Sequence, residues 1–229
     1  MGNRCENCIV RQLNSLKVLG KEELKAISDH KITRKFKKGE SLFSEGEKLN
    51  GIFCVRSGVT KLSKISENGK GQIVKIASKG EMIGQRSIIS EEQTNLSAVA
   101  LDDMEVCFIP KEHIMKNLSS NVEFTKTLLK HMANDLKHAD TLIVNMAQKT
   151  VKQRVAETLS YLDTNFERDL DGFIGVILTR EDIANLVGTA KEACIRTLTS
   201  LRKDNIISTQ GKRIKIEDKK ALYNIIQGI

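Results

Sequence analysis

The chain has no run of eighteen or more apolar residues, so nothing in it reads as a transmembrane helix. Its opening stretch, Met1 to Val10, lacks the apolar core of a secretory signal, and a cytoplasmic location without membrane attachment is expected. No P-loop, dinucleotide fingerprint or nucleophile–base constellation is present, which argues against an enzyme. Internal repeats and low-complexity tracts are also missing. Cysteine is scarce and odd in number, five in all. In a chain without an export signal that count speaks against a disulfide framework and for thiols that are buried, reactive or metal-bound. The four histidines, His30, His113, His131 and His138, show no metal-ligand spacing, although His131 and His138 lie one heptad apart.

What is there is a chain of 229 residues, 40% hydrophobic, enough for one large or two modest domains with a core of their own. Lys and Arg number 37 against 29 Asp and Glu, a formal net charge of +8. That balance favours a polyanionic partner, either nucleic acid or an anionic membrane surface.

Residues 31 to 111 read as strands. The β-rich stretches Lys31 to Phe36, Gly51 to Ile65, Gly71 to Ser78 and Ser97 to Ile109 are punctuated by Gly39, Gly46, Gly58, Gly69, Gly80 and Gly84 at turn positions, which predicts an antiparallel roll or barrel. A short amphipathic helix, Lys21 to His30 with Leu24 and Ile27 inward, precedes it. From about Ser119 to Lys149 the apolar period lengthens. Leu129, Met132, Leu136, Ala139, Ile143 and Met146 follow one another at intervals of 3, 4, 3, 4 and 3, the a/d seam of a coiled coil. A helix packed on its own domain is the other reading, but the regularity of the seam favours dimerisation.

A helix from about Thr150 to Phe166 and an acidic loop around Glu167 to Gly172 lead to the most informative stretch. Thr179-Arg-Glu-Asp182 has the form of a capping box and opens a short helix with Ile183, Ala184 and Val187 inward, ended by Gly188. Thr189-Ala-Lys-Glu192 repeats the pattern and opens a second helix with Cys194, Leu198 and Leu201 on its buried stripe. Glu192, Ile195, Arg196 and Thr199 lie opposite that stripe, with Lys191 beside them. An Arg can fork onto guanine, a Glu can accept from cytosine and a Lys can reach guanine or phosphate, so this helix suits the major groove. The plainer reading of Glu192 is a cap and an i, i+4 pair with Arg196. Downstream, Gly211-Lys-Arg213 between alternating apolar residues reads as a basic hairpin, with Lys212 and Arg213 on phosphates.

Thr179 to Leu201, TREDIANLVGTAKEACIRTLTSL, resembles the helix-turn-helix of the CRP/FNR regulators. Gly39-Glu-Ser-Leu-Phe-Ser-Glu-Gly46, Val55-Arg-Ser-Gly58 and Gly80-Glu-Met-Ile-Gly84 resemble their cyclic-nucleotide-binding-type β-roll. The resemblance implies an α+β chain in four parts: a cysteine-containing segment (1–20), a double-wound antiparallel β-roll sensor (21–115), a long dimerisation helix (116–149) and a winged helix-turn-helix (150–229). It implies a homodimer on double-stranded DNA with a palindromic operator, and RNA polymerase as a partner if the regulator activates. It also carries base contacts onto Glu192 and Arg196. A cyclic-nucleotide-type module acting through a protein partner without DNA is the competing function, and the Thr179 to Gly211 block argues against it.

The family's nucleotide pocket uses a Gly-Glu pair and an Arg-Ser pair, which here read Gly84-Gln85 and Leu96-Ser97. Loss of the arginine removes the charged partner of the cyclic phosphate, and Arg86 is the nearby substitute. A redox, metal or small-molecule signal is therefore expected in place of cyclic AMP. In the FNR branch a cysteine cluster holds a four-iron centre, and Cys5, Cys8 and Cys107 match three of its ligands. The fourth falls on Asn14. The alternatives left open are a neighbouring thiol such as Cys54, a non-cysteine ligand, zinc in place of an iron–sulfur cluster, or no metal. Cys107 is expected on a polar strand face. Cys54 and Cys194 read as small core residues.

Overall fold

The computed structural model describes residues 4–67 and 69–229, so the first three residues of the N-terminal segment lie outside it. The chain divides into two compact units, Met1–Lys64 with Val74–Lys137, and Ile65–Ile73 with His138–Ile229.

The first unit opens with three 3₁₀ turns, Cys5–Asn7, Ile9–Leu13 and Ser15–Val18, followed by helix α1 (Lys21–His30). Leu24 and Ile27 of α1 are buried, as the amphipathic spacing predicts. Eight strands follow: β1 (Ile32–Phe36), β2 (Ser41–Phe43), β3 (Gly51–Ser57), β4 (Thr60–Ile65), β5 (Gly71–Ala77), β6 (Met82–Ile83), β7 (Ser97–Ala100) and β8 (Met104–Pro110). They form two four-stranded sheets, ordered β1-β8-β3-β6 and β2-β7-β4-β5. The stretch 51–65 is two strands because Gly58 turns the chain at φ 83°, where an added Cβ would meet the Asp103 carbonyl oxygen at 2.8 Å. A short helix α2 (Gln85–Ser90) lies between β6 and β7. Helix α3 (Lys111–Ser120) starts directly after Pro110, the chain's one proline, and was not read from the sequence.

Helix α4 (Val122–Gln148) runs for 27 residues. Only its first turns enter the core, through Phe124 and Leu128. Of the expected seam, Leu129, Leu136 and Ile143 are each about three-fifths exposed, a row of leucine-sized side chains one heptad apart with no cover from their own chain.

In the second unit α5 (Val151–Asn165), α6 (Arg180–Val187) and α7 (Lys191–Lys203) pack together, followed by the hairpin β9 (Ile207–Gln210) and β10 (Arg213–Ile216) and by α8 (Lys219–Gln227). Val155, Ala156, Leu159 and Leu162 of α5 are buried. Arg154 ties three segments through their free helix-end carbonyls: Nη1 donates to Lys149 O at 2.6 Å and, more weakly, to Met146 O, while Nε donates to Val187 O at 2.9 Å.

The end of α5 is fixed to α8 by a charged cluster. Asp163, its side chain 5% exposed, accepts from Arg168 Nε and Nη2 at 2.6 and 2.8 Å and pairs with Lys219 at 2.9 Å. The Arg168 hydrogen bonds hold the carboxyl below the ordinary aspartate range, opposed in part by burial. A carboxylate with a depressed native pKa contributes stability that is complete above its unfolded value of about 3.9 and is lost as pH falls through the native value. Asp163→Asn should therefore lower stability at pH 7 by about 1–2 kcal/mol, since Arg168 and Lys219 stay open to water. Urea unfolding should show the gap to wild type beginning to narrow as pH falls below about 4 and narrowing further at lower pH; a gap that stays constant as pH falls would contradict the assignment.

Candidate nucleic-acid interface

The helix-turn-helix is built from its caps. Thr179 Oγ1 accepts from Asp182 N at 3.0 Å, and Asp182 Oδ2 accepts from Thr179 N at 3.1 Å, a reciprocal closure of the α6 N-terminus. Gly188 ends α6 in the left-handed region at φ 68°, a conformation that lets the chain reverse within three residues. The start of α7 differs from the sequence reading. Its N-cap is Ala190, not Thr189, with no side-chain cap, so the second Thr-x-x-Glu pattern is not a capping box.

Cys194, Leu198 and Leu201 are buried, and this stripe fixes which face of α7 is free. Glu192 and Arg196 are exposed and make no ion pair with each other, so the plain i, i+4 reading of Glu192 does not hold. Ile195 is 42% exposed between them, a large apolar side chain on an otherwise polar face. Lys191 pairs with Glu181 at 3.5 Å, both open to solvent, an attachment weak enough to be exchanged for phosphate. Thr199 donates its hydroxyl to Ile195 O at 2.9 Å, which leaves its lone pairs outward.

The wing needs a correction. Lys212 is exposed beside Gly211 at the tip of the β9–β10 hairpin. Arg213 is not free in the same way: it donates to Asp169 at 2.7 Å, to Asp171 at 2.7 Å and to Gln210 at 2.8 Å, and its guanidinium lies over the Phe173 ring at 4.2 Å. It ties the wing to the acidic loop, a role invisible in the sequence because Asp169 is 44 residues away. The sequence reading also missed Arg180, which donates to Gly211 O at 3.1 Å and so braces the wing tip from the start of α6.

Around the expected effector positions the chain is closed on itself. Ser97 Oγ accepts from Glu45 N at 2.9 Å, Gly46 N donates to Thr94 O and Thr94 N donates to Glu47 O. Glu45 also carries a carboxylate paired with Lys64. Leu96 is buried, Gln85 lies buried behind Gly84 at the start of α2, and Arg86 on the same helix is exposed.

Cys107 does not lie on a polar face. It is 5% exposed, as are Cys5 and Cys54, and the three share one apolar cluster with Cys8 packed against it. Glu105 misled the alternation: α1 packs on β8, so the strand is covered on both sides. The segment around Cys5 and Cys8 is docked by Val10 and Leu16, and by Asn14, whose Nδ2 donates to Gly80 O at 3.0 Å. Cys194 is buried in the second unit, with its thiol pushed up to about 11 by burial. Among the described residues no three Cys, His, Asp or Glu side chains stand where one metal ion would touch them all.

Residues 33–121 match the family described as the cyclic nucleotide-binding domain, and residues 153–225 match the Crp-like helix-turn-helix domain. The chain is 31% identical to the anaerobic regulatory protein of Pasteurella multocida, covering 96% of this chain and 82% of that one. It is 32% identical to the fumarate and nitrate reduction regulatory protein of Vibrio cholerae, covering 93% and 86%. Its fold is shared with FixK2 from Bradyrhizobium japonicum, with a TM-score of 0.78 at 23% identity over 85% of this chain and 96% of that one. The capped helix-turn-helix behind a β-roll, and relatives matched along almost the whole length, make this chain a DNA-binding transcription regulator that belongs to the CRP/FNR family.

Proposed function

We propose that the chain acts as a cytoplasmic homodimer that reads a palindromic operator with the free face of α7 and answers to a redox or metal signal in place of cyclic AMP. One observation carries the DNA reading: α7 is locked by Cys194, Leu198 and Leu201 while Glu192, Ile195 and Arg196 stay exposed without partners of their own. In this reading Arg196 and Glu192 contact bases, Ile195 and Thr199 pack on base edges, and Lys191 and Lys212 hold phosphates. Arg213 supports the wing from behind. Two copies meet along Leu129, Met132, Leu136, Ala139, Ile143 and Met146, and RNA polymerase is the further partner if the regulator activates. A cyclic nucleotide is disfavoured by a buried Leu96 in place of an arginine and by Ser97, whose hydroxyl oxygen already accepts from the Glu45 backbone N–H.

The signal is assigned to Cys5, Cys8 and Cys107. Thiols in one apolar cluster suit a thiophilic group, an iron–sulfur cluster or zinc, by their chemistry, although among the described residues they do not converge on one ion, and such a group would supply sensitivity to oxidants or to metal supply. The chain's own part is to present the sulfurs, exclude water from them and order the N-terminal segment when they are bound.

Arg196→Ala should cost about 1–3 kcal/mol of discrimination per half-site while weak binding to random DNA persists. Lys212→Ala should weaken all sequences alike and flatten the salt dependence. A mobility-shift titration on operator and random DNA checks both, and equal losses for Arg196→Ala on the two DNAs would remove its role in base reading.

An Asp at Leu136 would sit exposed on a single chain but buried and unpaired in the seam, at a cost of several kcal/mol. Leu136→Asp should sediment as a folded monomer without operator binding. A surviving dimer would place the interface elsewhere.

Adding cyclic AMP should leave operator affinity unchanged within error in the same titration. A calorimetric binding signal coupled to tighter DNA binding would reverse that part of the reading.

A further inference from the structure

Helix α4 is rooted in the first unit by two buried residues, Phe124 and Leu128, and past Leu128 none of its described residues is fully buried. Steps of about 100° per residue put Phe124, Leu128, His131 and Asp135 on one stripe of the helix. The stripe that begins apolar thus continues polar. His131 and Asp135 are half-buried, whereas Ala133, Asn134 and Leu136 beside them are exposed. Leu129 and Leu136 each follow a stripe residue by one position, so they point about 100° away from it. A rotation of α4 by that amount would carry the apolar row onto the β-roll and the charged stripe to where the row had been.

The polar half of the stripe meets Lys75 of β5. Lys75 Nζ donates to Asp135 Oδ1 at 2.9 Å and pairs with Glu81 Oε1 at 3.1 Å. Glu81 is itself fixed, because its other oxygen accepts from Ser78 N at 2.8 Å. The Lys75, Asp135 and Glu81 side chains are 27%, 22% and 35% exposed, so water screens them less than an open surface pair. Burial disfavours the Lys75 ammonium, but Glu81 and Asp135 outweigh it and raise its pKa above the ordinary lysine value. Without that ammonium two carboxylates would face each other across the contact.

His131 stands one turn before Asp135 on the same stripe. Burial, then the charges of Lys17 in the third 3₁₀ turn, of Lys75 and of Lys130, hold it below the ordinary histidine value, with Asp135 opposing them. It is therefore neutral at pH 7 and gains a proton only below its unfolded value of about 6.5. A histidine of this kind contributes stability that is complete above the unfolded value and is lost as pH falls through the native one. Once charged, it competes with Lys75 for Asp135 from within α4 and sets a cation beside Lys17 and Lys75.

From these observations we propose that Lys75 is a positioning residue for dimerisation: backed by Glu81, it holds Asp135 and so sets the azimuth at which α4 offers Leu129 and Leu136 to a second copy, and His131 makes that hold sensitive to protons. The inference rests on the reading that two copies meet along the α4 row, and adds to it the residues that aim the row and a signal that disturbs it.

The test uses the full chain, with dimer dissociation read by sedimentation and amide exchange read along α4. Lys75→Met keeps the length of the side chain and removes the charge. It should weaken the dimer by about 10-fold and speed exchange over residues 129–137 more than over 122–128. Exchanging the charges, Lys75→Glu with Asp135→Lys, should recover most of both losses. A wild-type dimer and exchange pattern in Lys75→Met, or an exchanged pair no better than its single variants combined, would overturn the assignment. Between pH 7 and about 5.5 the wild-type dimer should weaken several-fold, and His131→Gln should flatten that dependence. The same pH profile with and without His131 would remove the proton-sensitive part. Leu136→Asp separates this inference from the reading beneath it. If Leu136→Asp is monomeric while Lys75→Met dimerises like wild type, the positioning role fails alone; if Leu136→Asp still dimerises, the seam fails and the role of Lys75 with it.

Discussion

The free face of α7 depends on one constraint, the locking of the helix by its own buried stripe. Cys194 and Leu201 are fully buried and Leu198 is 4% exposed, so the helix cannot rotate without pulling apolar surface into water. The exposed face of α7 follows from that fixed azimuth: Glu192, Ile195 and Arg196 point to solvent because the opposite side of the helix is buried. The cap at Thr179 and the left-handed Gly188 then fix where α7 begins, and Arg154 joins the Lys149 carbonyl, just past the end of α4, to the last carbonyl of α6. A displacement at the end of the long helix thereby has a covalently short, hydrogen-bonded route to the turn of the reading motif.

The same reasoning applied to α4 gives the opposite result. There the apolar row Leu129, Leu136, Ile143 has no cover from its own chain, which is a requirement for a partner, not a stability device. Charge completes the division of labour. The excess of basic residues is not spread evenly over function: Arg213 and Arg168 are spent on Asp169, Asp171 and Asp163, whereas Arg196 and Lys212 are held back from pairing.

The parts legible in the sequence were those written in local chemistry. Six glycines at turn positions outlined the β-roll, and all six adopt positive φ. Thr179 and Asp182 announced a cap that is present, and the 3-4 spacing gave the helices α1 and α4. What stayed hidden depends on partners distant in sequence. Arg213 looked like a phosphate contact until Asp169 and Phe173 were seen around it. Cys107 seemed to share a polar face because Glu105 does, but α1 covers that strand. Asn14 looked like a missing ligand, and is a buried amide that donates to Cys54 of β3 and to Gly80 in the turn before β6. Thr189 failed as a cap because the chain enters α7 one residue later than the pattern suggested.

In the proposed mechanism a locked α7, presented twice by a symmetric dimer, reads specific bases. Selection of the full chain against a pool of random duplexes tests it most directly. The account predicts enrichment of a two-fold symmetric motif whose half-sites are centred about one helical turn apart, roughly 10 base pairs. A pool that stays random, or one that converges on a single site without symmetry, would contradict it.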